Sequence, residues 1–243
     1  MPDSPLQKLD TDGVERILCV VAHPDDLEYG ISAAVAAWTA AGIQVDYLLM
    51  TAGEAGMRRA PAEAGLLRAR EQRAACDVVG VNDLTILDFP DGLMEPGPTV
   101  RKAIAKQIRT LRPNIVVTSN FDLEVPWGIN HIDHRVTGEA TADAIRDADN
   151  RWIFTDLLDE GLEPWKADLF LVGGVAEPDT YVDVTGEALE KGVASLEAHE
   201  AYLADLPDHP APRAMLTEMA TECARAVEDG STDCAIGFRA WPM

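Results

Sequence analysis

The chain has 243 residues, 47% of them hydrophobic and 26% charged, which is enough to bury a sizeable core and excludes disorder. Its 20 Lys and Arg stand against 42 Asp and Glu, a net charge of −22 with the histidines neutral, and this excludes nucleic acid and anionic membrane surfaces as partners. Residues 1–138 carry 13 basic and 19 acidic side chains and residues 139–243 carry 7 and 23. The excess in the second half reads as a solvated surface, with adaptation to high salt, suggested also by 5 Lys beside 15 Arg, as the weaker alternative.

Cys19, Cys76, Cys223 and Cys234 form no CxxC pair, so reduced structural thiols in a cytoplasmic protein are expected rather than disulfides or a zinc knuckle. Met1 to Gly13 is polar and acidic, unlike a signal peptide. No run approaches the ~18 consecutive apolar residues of a membrane span.

In chain order, Ile17–Ala22, Val45–Met50, Leu84–Leu87 and Ile115–Thr118 are apolar runs of strand length. Between them Gly30–Ala41, Ala62–Val79 and Thr99–Leu111 have helical character, the last followed by Pro113. This alternation predicts an α/β fold, Rossmann-like and doubly wound, with a mostly parallel sheet. Further on, the pattern predicts helices over Asp133–Ala148, Gly186–Leu203 and Arg213–Val227 and short strands over Asp168–Val172 and Tyr181–Val184. Trp127, Trp152 and Trp165 fall in or near loops, and 151–167 shows no periodicity. We expect a single domain over residues 1–243, with a catalytic core at about 14–150 and a C-terminal elaboration at about 151–243.

In such sheets ligands bind at the carboxyl ends of the strands. Ala22-His23-Pro24-Asp25-Asp26-Leu27-Glu28 follows the first strand and His131-Ile132-Asp133-His134 follows the fourth. A histidine and a carboxylate three residues apart at a strand-to-helix turn can face one ion, and a second histidine from another loop completes three protein ligands with a position open for water. His23, Asp26 and His134 would be those ligands, Asp25 the general base and His131 the acid, a set suited to zinc-assisted hydrolysis. Each group alone has a plainer explanation, a helix N-cap for His-Pro-Asp and an exposed helix face for HxDH. Their conjunction at the strand ends favours the metal site.

The AHPDD block, Thr51-Ala52-Gly53-Glu54-Ala55-Gly56 after the second strand, Arg68-Ala-Arg-Glu71 and HxDH together resemble the PIG-L or LmbE-like zinc-dependent N-acetylglucosaminyl deacetylases. The likeness runs from about Val14 to Ala140 and faintly through Tyr181–Thr185 and Lys191–His199. It implies one zinc on His23, Asp26 and His134, with Fe(II) or Co(II) able to occupy the same ligands. It further implies Asp25 as base, His131 as oxyanion partner and acid, Asp133 as the group that orients or tunes His131, and Arg68 and Asp91 as contacts to sugar hydroxyls. The implied partner is a small amino-sugar conjugate; a homo-oligomer stays open.

Some positions depart from the family pattern. Ile132 replaces a common proline, Ile129 stands where some inositol-linked deacetylases carry an assisting tyrosine, and Ala201-Tyr202 replaces the usual Ser-Gln after His199. A metal-dependent phosphoesterase is the alternative function, but it needs a second ion and more bridging carboxylates than these motifs supply. An Fe(II) facial triad and a non-enzymatic binding module are weaker, since the former belongs to all-β barrels and the latter needs none of these ligands.

Overall fold

The four apolar runs are strands in the computed structural model, which describes residues 6–125, 128–228 and 230–243; Trp127 lies outside them. They form β2 (Arg16–Val21), β3 (Gln44–Leu49), β4 (Asp83–Ile86) and β5 (Ile115–Ser119), joined as parallel neighbours in the order β5-β2-β3-β4. Helices α1 (Ser32–Ala40), α2 (Pro61–Val79) and α3 (Pro98–Leu111) connect them, and α4 (Ile132–Asp149) follows a small hairpin of β6 (Glu124–Val125) and β7 (Gly128–Ile129). The chain order reverses between β2 and β5, which makes their carboxyl ends the crevice of the sheet.

Strand alternation sorts the core into two layers. Ile17, Cys19 and Val21 face α1, α2, α6 (Glu187–Glu197) and α8 (Pro212–Ala224), while Leu18 and Val20 face α3 and α4. Arg109 fixes the far end of α4. It is 1% exposed, and its guanidinium donates to the carbonyls of Asp147, Ala148, Asn150 and Ile153, so the helix terminus is satisfied in the interior.

The segment after 150 extends the same sheet. It adds β8 (Leu169–Gly173) beside β5, then β10 (Ala235–Pro242), β9 (Thr180–Asp183) and, parallel to β9, β1 (Gln7–Lys8). Strand β10 runs antiparallel to both neighbours. The sequence gives no sign of it: Gly237, Arg239 and Pro242 interrupt any apolar run, and of its residues Ala235 and Phe238 are the buried ones. The unpatterned 151–167 stretch holds one short helix, α5 (Asp156–Asp159), with Trp152 exposed and Trp165 donating its indole N–H to the Pro113 carbonyl.

The helix expected over Gly186–Leu203 is two helices, α6 and α7 (Glu200–Asp205), broken where His199 adopts φ −83° and ψ 50°. Helix α6 lies so close to α1 that a Cβ on Gly192 would stand 2.7 Å from the Ala33 Cβ and 2.9 Å from its backbone. Overpacking typically costs ~1–3 kcal/mol, against a helix-propensity gain for alanine of up to ~1 kcal/mol. Gly192→Ala is therefore expected to lose up to about 2 kcal/mol, read as a lower Tm.

Candidate metal centre

The turn after β2 is built by its own carboxylates. Asp26 Oδ2 accepts the backbone N–H groups of Ala22 and His23 at 3.0 and 2.9 Å, which leaves Oδ1 facing outward. Asp25 sits at φ 86°, a conformation rare outside glycine and better tolerated by Asp and Asn than by other side chains. Its N–H donates to Gln72 Oε1 at 2.9 Å, and Gln72 Nε2 donates to the buried Glu28 at 3.1 Å.

Across the crevice, α4 begins at His131, whose Nδ1 accepts the Asp133 N–H. His134, on the first turn, has Nδ1 2.9 Å from Asn130 Oδ1. Asn130 is oriented by its own amide, which donates to the carbonyls of Asn120 and Asp122. The oxygen therefore faces His134, Nδ1 carries the proton, and Nε2 is left with its lone pair toward the crevice.

Three donor atoms then form a triangle: His134 Nε2 lies 3.0 Å from Asp26 Oδ1 and 3.2 Å from His23 Nδ1, and His23 Nδ1 lies 3.6 Å from Asp26 Oδ1. Ligands held at ~2.0–2.2 Å in tetrahedral geometry stand about 3.4 Å apart. The residues fit a divalent ion in both spacing and donor type. His23, Asp26 and His134 are also one of two metal-capable groups among the described residues.

The other group, His23, His131 and Asp133, is better described as support. His23 Nε2 is 2.9 Å from Asp91 and 3.1 Å from Asp133, so that nitrogen carries a proton and leaves Nδ1 to the triangle. Asp133 is fully buried and also accepts the Gly92 and Met94 N–H groups at 2.6 and 3.2 Å. Asp91 accepts the Ala55 N–H at 2.7 Å. The side chain of Asp133, expected to orient or tune His131, is thus bonded to His23, and it acts on His131 through its charge, which favours the protonated ring. Asp91, expected to hold a sugar hydroxyl, orients the same His23.

Arg68 is likewise occupied within the protein. It is 3% exposed, donates to the Gly53 and Pro24 carbonyls at 3.0 and 2.6 Å, and places Nη2 3.0 Å from Asp25 Oδ2. Gly53, at φ 63°, leaves room that a Cβ would take from the guanidinium.

Charge follows from this crowding of carboxylates. Burial opposes a charged His23, but the Asp26 charge and the hydrogen bonds to Asp133, Asp26 and Asp91 outweigh it and push its pKa up to about 12, so that Nδ1 also holds a proton until an ion displaces it. Burial raises Asp25 to about 6, Arg68 working against it and Asp26 with it. His131 is held below its usual value by burial and by His23. Asp26 is drawn well below the carboxylate range, its burial overcome by His134 and His23. Four carboxylates converge where a cation would bind.

Sequence reasoning did not find Gln72, Asn130 or Tyr202, each of which contacts a site residue. Asn130 alone left a signal, four residues before His134 on the approach to α4.

Residues 18–145 match the PIG-L family, described as GlcNAc-PI de-N-acetylase. The diacetylchitobiose deacetylase of Thermococcus kodakarensis is 30% identical over 197 residues, 77% of this chain and 70% of that protein. In fold, an N,N'-diacetylchitobiose deacetylase from Pyrococcus horikoshii superposes with a TM-score of 0.80 at 23% identity, covering 96% of this chain and 85% of that one. A 4-carboxy-2-hydroxymuconate hydratase from Pseudomonas putida reaches 0.76 at 19% identity, with 94% and 97% covered. The fold therefore carries more than one chemistry, and function has to be argued from the site. By the match over 18–145 and the likeness to the Thermococcus deacetylase, the chain belongs to the PIG-L family.

Proposed function

We propose that the chain is a zinc-dependent amidohydrolase that removes the N-acetyl group from a small molecule containing N-acetylglucosamine. The observation that supports this reading is the triangle of His23, Asp26 and His134, with the His131 ring 5.1 and 5.5 Å from the rings of His23 and His134 and Asp25 beside Asp26 in the same turn. Zinc bound there supplies Lewis acidity, polarising the amide carbonyl and lowering the pKa of water; Fe(II) or Co(II) suit the same donors.

The chain's own groups supply the proton transfers. Asp25 takes a proton from the water that attacks the amide carbon, and its pKa of about 6 suits a base working near neutrality. His131 accepts a backbone N–H at Nδ1 and so presents Nε2–H to the oxygen that becomes negative. As the C–N bond breaks, the departing nitrogen takes the proton that Asp25 removed from the water, while His131, neutral with its Nδ1 accepting, keeps its Nε2–H on the oxygen; the products are acetate and the free amine. Tight carboxylate support of His23 by Asp91 and Asp133 keeps its Nδ1 aimed at the triangle.

A phosphoesterase finds no support. Both metal-capable groups among the described residues share His23, whose Nε2 already faces two carboxylates. Amine release from a panel of diacetylchitobiose and inositol- and malate-linked N-acetylglucosamine, after chelation and reloading with zinc, tests the reading. Release restored by zinc is the expected result. No amine from any conjugate in the metal-loaded protein would refute it, and turnover of a phosphate ester instead would point to the rival.

A further inference from the structure

Tyr202 reaches the site from the C-terminal half of the chain. The Arg68 guanidinium lies against its ring, with Cζ 4.2 Å from the ring centroid, an arrangement that a cation finds favourable over an aromatic face. The first N–H groups of α7 are held by one side chain: Ala201 and Tyr202 donate to Glu71 Oε1 and Oε2 at 2.6 and 3.3 Å. Glu71 follows Arg68 by three positions on α2, so both project from one helix face and fix ring and guanidinium together. Arg68 in turn pairs with the Asp25 carboxylate, Nη2 lying 3.0 Å from Oδ2. Burial, and then the Asp25 charge, hold the Tyr202 phenol in its protonated form.

Two consequences conflict with the expectation that Arg68 contacts sugar. Its terminal nitrogens are already committed to Gly53, Pro24 and Asp25, and the ring closes over what is left. A sugar hydroxyl could reach it only if α7 moved away.

We propose that Tyr202 is a positioning residue for Asp25, its ring covering the Arg68 guanidinium that pairs with the Asp25 carboxylate, so that α7 helps to set the geometry of the base. The role in turnover rests on Asp25 being that base. The cover on Arg68 does not, and it can be read without any substrate.

Tyr202→Phe and Tyr202→Ala, compared with the wild type, test this by two measurements. The first is modification of arginines by phenylglyoxal, mapped by peptide mass. Arg58 and Arg59, which are exposed, serve as reactive controls. Arg68 is expected to stay protected in the wild type and in Tyr202→Phe and to become reactive in Tyr202→Ala. Reactivity in the wild type, or equal protection in all three, overturns the cover.

The second is steady-state kinetics on any conjugate the wild type deacetylates. Tyr202→Ala is expected to lower kcat roughly 10- to 100-fold with KM within a few-fold, the pattern of a misplaced catalytic group. Tyr202→Phe should stay within a few-fold of the wild type, since it keeps the ring over Arg68. A raised KM with unchanged kcat would make Tyr202 a wall of the sugar site and overturn the positioning role. Absence of turnover in the wild type would be a failure of the deacetylase reading, separable because the labelling result stands alone.

Discussion

Asp25→Asn is expected to lower kcat by roughly 10²- to 10⁴-fold, the range for loss of a general base, while the protein still binds one divalent ion per chain. Asparagine is the informative replacement. Asp25 sits at φ 86°, where alanine would add backbone strain and asparagine is tolerated, and its N–H to Gln72 is kept by either residue. The amide preserves shape but has no basic oxygen to accept a proton. Because Asp25 contributes no atom to the triangle of His23, Asp26 and His134, metal content measured by elemental analysis should match the wild type. Activity within a few-fold of wild type would sink the assignment of the base. Loss of the metal along with activity would instead show that Asp25 belongs to the ligand set.

Much of this site was legible in the sequence, for a physical reason. Parallel strands are buried on both faces and read as apolar runs, so their ends can be located; His23, Asp25 and Asp26 fall directly after the end of β2, and His131 and His134 follow the end of β5 beyond the small hairpin. What was not legible is pairing at long range. The carboxylates of Asp91 and Asp133 reach His23 across 68 and 110 positions of the chain, and nothing local distinguishes a carboxylate facing a histidine from one facing a sugar. The break between α6 and α7 was hidden because apolar spacing continues through it. What forces the turn lies elsewhere: Glu71 on α2 holds the first N–H groups of α7. Strand β10 escaped because it pairs antiparallel between β8 and β9 with only Ala235 and Phe238 buried and Arg239, Trp241 and Pro242 exposed, so it needs no apolar run.

His134→Ala should have the second large effect, and on a different observable. It removes the donor nearest to both other corners of the triangle, 3.0 Å from Asp26 Oδ1 and 3.2 Å from His23 Nδ1. Divalent-ion affinity, measured by competition with a chelator, should fall by more than the ~10- to 100-fold that loss of an outer partner costs, and activity should fall with it. Asn130→Ala removes such an outer partner, the acceptor that fixes the His134 tautomer, and should land inside that range. His131→Ala separates the two possible ligand groups, since His131 belongs only to the one with Asp133. It is expected to keep the ion and lose turnover, because the Asp133 oxygens are already taken by Gly92, Met94 and His23 and are poorly placed to give up a lone pair to metal. If His131→Ala released the ion and His134→Ala retained it, the ligands would be His23, His131 and Asp133, and the roles of the two histidines on either side of Ile132 and Asp133 would have to be exchanged.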